Sequence, residues 1–361
     1  MKRPRLLLAV ESLEPGRGGI CRVARLMARV LAEEQAAGRL GASAIALADR
    51  DVDPSLDIHV RPAGGSRGRF VLDVQRAAFT HTHFAYDSAS MARAHGIARL
   101  LARPYLCWIH GIEVWEEMRA DHRRPLDRAS VLVSNTGYTR RRAHDLHGGF
   151  ERATVCALAT EEEEDASPAA TGSGGAETSV LIVARLDELQ YKGHRELIGC
   201  WPGVVDRVPG ARLIVVGDGP GRAAFERLAA ASGVGSSIRF TGFVSEEELE
   251  RLYREATLFA MPSRGEGFGL VYIEAMRHGL PVIASIHDAA PEVNVDGVTG
   301  FNVDLDRADE LRERLVDLLS NPERAAKMGR AGLQRWSERF RYSAFRERFR
   351  PIMTEFLELT R

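Results

Sequence analysis

Short apolar runs of strand length alternate with helix-period segments along this chain, and the alternation starts afresh after residue 178. That pattern limits the fold more than any other feature. Strands that recur with a helix between them form a parallel sheet covered by helices on both faces. In the first half, strands are expected at 5–10, 42–48, 78–81, 105–109, 130–134 and 154–158, with helices at 20–36, 88–101 and 136–147. In the second half, strands are expected at 179–184, 212–216, 238–240, 258–261 and 281–284. Helices there are expected at 193–200, 221–231, 246–255, 269–277 and 309–319. A helical tail follows over 322–360, carrying Trp336, Phe340, Tyr342, Phe345 and Phe349. Residues 161–178 are acidic and then rich in Pro, Gly, Ser, Thr and Ala, the composition of a linker. The chain has 361 residues, about two domains' worth at ~150 each. The expectation is an α/β protein of two doubly wound domains. Such a pair has a cleft between its members, and ligands bind at the carboxyl ends of the strands.

Composition removes several function classes. Apolar residues make up 45% and charged residues 27%, too rich in core formers for a disordered chain. No run approaches the ~20 apolar residues of a membrane-spanning helix. The start, MKRPRLLLAVES, has no apolar core followed by a small-residue cleavage site, so no signal peptide is expected. Cys21, Cys107, Cys156 and Cys200 form no CxxC pair, which argues against a zinc site or a disulfide framework and suggests a reducing, cytoplasmic compartment. The net charge of −1 hides an asymmetry. Residues 1–150 hold 23 Lys+Arg against 16 Asp+Glu, hence +7, and the remainder holds 26 against 34, hence −8. The basic half is either solvated surface charge or suited to an anionic partner, a membrane face or a phosphate-bearing acceptor. No nucleic-acid partner is expected.

Three segments carry candidate chemistry. The turn Glu14-Pro-Gly-Arg-Gly-Gly-Ile20 lies between the first strand and the first helix. It is either a tight βα turn or a place where backbone approaches a phosphate or sugar. Cys21 falls where a dinucleotide fingerprint needs its third glycine. Gly217-Asp-Gly-Pro-Gly221 fails the same test, because Arg222 occupies the last position, so dehydrogenase chemistry is disfavoured twice. The second segment is VLIVARLDELQYKGHR, residues 180–195, where a buried strand delivers Arg185 and Lys192-Gly193 opens a helix. Together the guanidinium and the ammonium would neutralise a diphosphate, one as a fork and the other as a point charge. Lys192 is one of only three lysines, with Lys2 and Lys327.

The third segment, SRGEGFGLVYIEAMRHG over 263–279, is the most specific. A glycine-rich loop carries Glu266 and the following helix carries Glu274, with seven residues between them. The N–H groups of Phe268, Gly269 and Leu270 at the helix start suit a phosphate. The two carboxylates would repel an anion, so they make sense beside a ligand that also brings neutral hydroxyls at its two ends, as a nucleoside diphosphate sugar does.

In these segments the chain resembles the retaining glycosyltransferases of family 4, with the GT-B fold. The resemblance is carried by Gly18-Gly19, His110-Gly111, the RLDELQYKGH stretch, Gly217-Asp-Gly-Pro, Phe240-Thr-Gly-Phe-Val244, Glu266…Glu274 and Asp296-Gly-Val-Thr-Gly300, which span nearly the whole chain in the family's order. It implies an N-terminal acceptor-binding domain over 1–160, a nucleotide-sugar-binding domain over 179–340, and a C-terminal helix over 341–361 packing back on the first domain. It implies that Arg185 and Lys192 hold the diphosphate and stabilise the leaving group, that Glu266 contacts the donor sugar, and that Glu274 contacts the ribose. The backbone around Phe243 and Val244 would sit near the base. Gly217 would join the donor site, Gly19 would close over the diphosphate, and His110 would face the donor sugar. One stretch departs from the family. Glycines are common ahead of the glutamate that follows the 281–284 strand, whereas here the residues are Ser285-Ile-His-Asp-Ala-Ala-Pro-Glu292. His287 and Asp288 either shape sugar specificity or fill a loop.

The reaction expected is transfer of a hexosyl unit from a UDP-, GDP- or ADP-sugar to an acceptor hydroxyl with the α-configuration kept, and no cofactor or metal. No residue is an obvious enzymic nucleophile, and a same-face displacement in which the leaving phosphate helps deprotonate the acceptor fits that. The basic half suggests an acceptor that is a sugar or lipid-linked sugar at the inner face of a membrane, peripheral contact with anionic lipid, and polysaccharide or lipopolysaccharide assembly. Two other readings remain open, a nucleotide-sugar-binding regulatory protein without turnover and a GT-B-fold epimerase. His81, His83, His110, His144 and His147 lack metal-ligand spacing. His110-Gly-Ile-Glu113 has no P-C-x-x-C after it, which disfavours a deaminase. Only Lys192 and Lys327 could serve a pyridoxal phosphate phosphorylase.

Overall fold

The computed structural model describes residues 3–95, 103–164, 178–189 and 192–359. The chain divides into two compact units. One is Met1–Glu161 with Tyr342–Arg361, and the other is Glu162–Arg341.

The first unit runs β1 (Arg5–Val10), α1 (Gly19–Ala36), β2 (Gly41–Ala46), β3 (His59–Pro62), α2 (Arg67–Ala77), β4 (His83–Tyr86), α3 (Ala89–Ala92) and β5 (Tyr105–Ile109). It continues through α4 (Ile112–Trp115), α5 (Ala120–Arg128), β6 (Val131–Ser134), α6 (Gly137–His147) and β7 (Thr154–Val155). Its sheet is parallel throughout, in the order β3-β2-β1-β4-β5-β6-β7. The interior strands β1, β4 and β5 are apolar on both faces because helices cover both. The order reverses between β1 and β4, so the ends of those strands form the crevice where such sheets take ligands.

The second unit repeats the plan with β8 (Ser179–Val183), α7 (His194–Arg207), β9 (Arg212–Val216), α8 (Arg222–Ala231), β10 (Ile238–Gly242), α9 (Glu246–Glu255) and β11 (Leu258–Ala260). Then come α10 (Leu270–Arg277), β12 (Val282–Ser285), α11 (Ala290–Val293), β13 (Gly300–Val303), α12 (Glu310–Ser320) and α13 (Pro322–Arg339). This sheet is also parallel, ordered β10-β9-β8-β11-β12-β13, and its reversal lies between β8 and β11. Arg185 and the 263–269 loop follow those two strands directly.

The last helix, α14 (Tyr342–Glu358), belongs to the first unit. Phe345 and Phe349 lie 6.2 and 5.9 Å from the Trp108 ring, and Tyr342 donates its hydroxyl to Glu33 at 2.8 Å. Arg350 pairs with the buried Glu34 at 2.7 Å, and Arg348 caps the Ala157 carbonyl.

Several sequence expectations change. The strand expected at 78–81 is the exit turn of α2, where Ala78 and His81 donate to Gln75 and Ala77 carbonyls and Phe79 is exposed. The true strand starts two residues later, at His83. The helix expected at 88–101 is short, covering Ala89–Ala92, and residues 96–102 lie outside the described residues. So do 165–177 of the expected linker and Gln190 and Tyr191. α7 does not stop at 200 but continues through Pro202, because Trp201 and Val204 are buried and Trp201 Nε1 donates to Ser237 at 2.9 Å. The tail is two helices rather than one, interrupted at Phe340, where the chain passes from one unit to the other.

Candidate functional site

At the reversal of the second sheet, the exit of β8 carries Arg185 into solvent, with Asp187 3.8 Å from its guanidinium. The turn after β9 holds that exit in place. Leu186 N–H donates to the Asp218 carbonyl at 3.1 Å, and Gly221 N–H donates to the Leu186 carbonyl at 3.0 Å. Gly217 has φ of 125°, and a Cβ on it would come within 2.1 Å of the Ala184 carbonyl oxygen. Its N–H donates to Gly242 at 3.0 Å, tying in the end of β10. Just beyond, Phe243 is 85% exposed and Val244 is half-buried.

Lys192 reaches the neighbouring loop because Gly193 lets the chain pass close under it. Gly193 has φ of 90°, and a Cβ there would lie 2.6 Å from the Pro262 carbonyl oxygen. The Lys192 ammonium donates to the Gly265 carbonyl at 3.1 Å and to Glu266 Oε2 at 3.0 Å. Both side chains are about four-fifths buried, at 18% and 20% exposed. An ammonium has three donors, so one N–H remains beyond these two. The other carboxylate oxygen of Glu266 accepts from Gly267 N–H at 3.1 Å.

Phe268 and Gly269 are buried, and Leu270 is the first residue of α10. The opening N–H groups of a helix have no intrahelical acceptor and carry its positive dipole end. Tyr272 lies beneath Gly269 and donates to the Met261 carbonyl at 2.7 Å, which pins the helix start to the end of β11. Glu274 follows in the second turn, where its Oε2 accepts from the Tyr253 hydroxyl at 3.0 Å. The Tyr253 ring stacks on His278 at 5.1 Å, and His278 pairs with Glu250 at 3.1 Å. Sequence reasoning did not single out Tyr253. It sits on the apolar stripe of α9 and reads as an ordinary core aromatic.

Asp288 is 3% exposed and its carboxylate accepts from Glu266 N–H and Ala290 N–H, both at 2.9 Å. Burial, with the Glu266 charge adding to it, pushes its pKa up to about 7. His287 turns the other way, with Nε2 accepting from Leu305 N–H at 3.1 Å and lying 3.2 Å from Asp304. His287, Asp304 and Asp306 bring ligand-type atoms within 4.8 Å of one another. Their carboxylates are engaged by Arg264 at 2.6 Å and Arg307 at 3.6 Å, an ion-pair network.

Gly19 and His110 belong to the first unit. Gly19 opens α1 and is exposed, after Gly18 with φ of 99°. His110 follows β5, with its ring stacked on Trp108 and its Nε2 2.6 Å from the Asp87 carbonyl. A carbonyl only accepts, so Nε2 carries a proton there. Glu113 accepts from the backbone N–H groups of both His110 and Gly111, and Asn135 donates to the His110 carbonyl at 2.9 Å. Asp87 is fully buried, accepts from Glu11 N–H at 2.8 Å, and has its pKa pushed up to about 7 by that burial. In the sequence Glu113 stands out only by its spacing from His110, and Asp87 carries no signal of its own.

The profile of the family Glycosyl transferases group 1 matches residues 163–335, which include Arg185, Lys192, Glu266 and Glu274. The GDP-mannose-dependent monoacylated alpha-(1-6)-phosphatidylinositol monomannoside mannosyltransferase of Corynebacterium glutamicum is 31% identical over 283 residues, 73% of this chain and 72% of that one. The chain belongs to the group 1 glycosyl transferases. The Mycobacterium tuberculosis GDP-mannose-dependent alpha-(1-6)-phosphatidylinositol monomannoside mannosyltransferase is 33% identical over 264 residues, 68% of this glycosyltransferase and 66% of the relative. Among solved structures, sucrose-phosphate synthase from Thermosynechococcus elongatus superimposes with a TM-score of 0.79 at 20% identity, covering 98% of this chain and 99% of its own. Anabaena HepE, in complex with UDP and glucose, gives 0.76 at 20% identity, covering 98% and 100%. The fold of this glycosyltransferase is GT-B, two Rossmann-like domains.

Proposed function

We propose that this glycosyltransferase moves a hexosyl unit from a nucleoside diphosphate sugar to an acceptor hydroxyl with retention at the anomeric carbon. The observation that carries this reading is the Lys192–Glu266 pair beside the start of α10. The third N–H of Lys192, the Arg185 guanidinium and the helix dipole supply positive potential where a diphosphate would gain charge on leaving. Glu266 is held by Lys192 and by backbone N–H, the arrangement of a carboxylate that accepts sugar hydroxyls rather than one that attacks carbon. A same-face displacement follows, in which the departing phosphate oxygen takes the acceptor proton as the acceptor oxygen bonds to the anomeric carbon. Glu274, oriented by Tyr253, holds the ribose hydroxyls, and the segment Phe243–Val244 borders the base. Within the first unit, His110 has its protonated Nε2 turned to the Asp87 carbonyl, which leaves Nδ1 as the acceptor of the ring. In this reading the protein's own cations do the work of a divalent ion, so turnover is expected to be unchanged by EDTA.

GDP-mannose is the donor the relatives' names support, and a lipid-linked mannoside of the phosphatidylinositol type the acceptor. A thermal-shift screen over GDP-mannose, UDP-glucose and ADP-glucose tests the donor. A ligand at 100 times its dissociation constant stabilises by about 2.7 kcal/mol. No shift with any of the three would remove the nucleotide-sugar reading. Slow release of radiolabelled sugar without acceptor is expected of the enzyme and not of a regulatory protein, and an epimerase would show itself by product analysis.

No helix among the described residues is long and apolar enough to cross a membrane. The proposed lipid-linked acceptor calls for peripheral contact at the inner membrane face, and the Arg140-Arg-Arg142 run on α6 is suited to it, with Arg141 and Arg142 exposed. Neutralising those arginines is expected to weaken binding to anionic vesicles by about 1 kcal/mol per charge while donor affinity stays the same. Unchanged vesicle sedimentation at low salt would remove the membrane argument and leave the enzyme assignment intact.

A further inference from the structure

We propose that Asp288 is a positioning residue for Glu266, fixing the backbone of the loop that presents this glutamate to the donor sugar. The inference rests on the role given to Glu266 above and goes beyond it.

The loop after β12 grips the loop after β11 at both polar groups of one residue. Asp288 Oδ2 accepts from Glu266 N–H at 2.9 Å, and Ala289 N–H donates to the Glu266 carbonyl at 3.1 Å. The second oxygen of Asp288 caps α11 through Ala290 N–H at 2.9 Å. Closer to the strands, the Ser285 hydroxyl donates to the Ser263 carbonyl, and Ser263 Oγ accepts from Gly265 N–H at 3.1 Å. The side chain of Glu266 is then held from outside by Lys192 and by Gly267 N–H. Backbone and carboxylate of Glu266 are thus fixed from separate directions.

Asp288 itself is out of reach of substrate. It is 3% exposed, and each carboxylate oxygen is turned to a backbone N–H. The burial of a second carboxylate beside Glu266 is electrostatically unfavourable, and satisfying two N–H groups at once offsets it. A neutral isostere cannot do the same. The oxygen of an asparagine amide accepts from one N–H, and its NH2 then opposes the other. Glycine, common in the family near this place, supplies no acceptor at all. Asp288 therefore does more than fill the loop, and it acts through Glu266 rather than by touching sugar. The His287 ring is turned away to Leu305 and Asp304, while its backbone N–H donates to the Ser285 hydroxyl at 3.1 Å.

A double-mutant cycle tests the assignment, with release of mannose from GDP-mannose as the rate and calorimetry with free GDP as the control. Asp288→Asn is expected to lower kcat by about tenfold or more with GDP affinity within about twofold of the parent. In a Glu266→Gln background the same change is expected to cost less than about twofold further, because the group it positions is already disabled. Asp288→Ser, which keeps a single acceptor, repeats the cycle should Asp288→Asn fail to fold. Additive losses, full turnover in Asp288→Asn, or loss of GDP affinity in both the Asn and Ser variants would overturn the proposal. Full turnover in Glu266→Gln alone would instead remove the role given to Glu266, and this inference with it.

Discussion

Lys192→Ala is expected to lower turnover by ~10²-fold or more, because in the proposed mechanism the ammonium stabilises charge that grows on the leaving diphosphate in the transition state. The structure adds a second reason. Lys192 is the cation paired with the four-fifths-buried Glu266, and its removal leaves that carboxylate uncompensated next to the start of α10. An unpaired carboxylate there repels the phosphate that the helix start attracts. Free nucleotide affinity is therefore expected to fall along with kcat. Arg185→Ala is expected to cost a similar factor in turnover, with a smaller effect on the resting structure, since Arg185 is exposed and its ion pair among the described residues is the long 3.8 Å approach to Asp187. Steady-state kinetics on the donor that passes the thermal-shift screen, with GDP calorimetry alongside, decides the matter. Either variant retaining full turnover would mean that its cation does not face the leaving group.

Glu274→Gln and Glu266→Gln are expected to part company. In the proposed assignment Glu274 faces the ribose, which free nucleotide and donor share, so its substitution is expected to weaken both by a similar factor. Charge-assisted hydrogen bonds are worth roughly 1.5–3 kcal/mol each, so that factor exceeds about tenfold. In the same proposal Glu266 faces only the transferred sugar. Its substitution is expected to leave GDP affinity nearly unchanged while turnover and donor discrimination fall. Tyr253 sharpens the contrast, since its hydroxyl holds one oxygen of Glu274 while Glu266 is held by Lys192. Equal calorimetric losses for the two variants would mean that the carboxylates see the opposite ends of the donor from those assigned.

The sequence by itself determined the double parallel architecture and the exits that matter. Interior strands such as β1, β5 and β8 are near-continuous apolar runs, and each is followed by a helix, so period and burial are written locally. The Glu266…Glu274 spacing was legible for the same reason, since a loop and the helix after it are neighbours in the chain. The edge strands β3 and β13 were not legible. Each is four residues long, and β3 alternates exposed and buried positions with a proline at its end, so little distinguishes it from loop. Tertiary structure alone decided which distant groups meet. Lys192 finds Glu266 across 74 residues because Gly193 admits the close pass under Pro262. Tyr253 on α9 reaches Glu274 on α10 through its hydroxyl, and Asp288 finds Glu266 because β11 and β12 are adjacent in the sheet. The helical tail shows the same division. Its periodicity continues from α13 into α14 with only Phe340 and Arg341 between them. The two helices nevertheless serve different cores, because Phe345 and Phe349 bury against Trp108 of β5 in the first unit, and no local pattern can say which core an apolar face will choose.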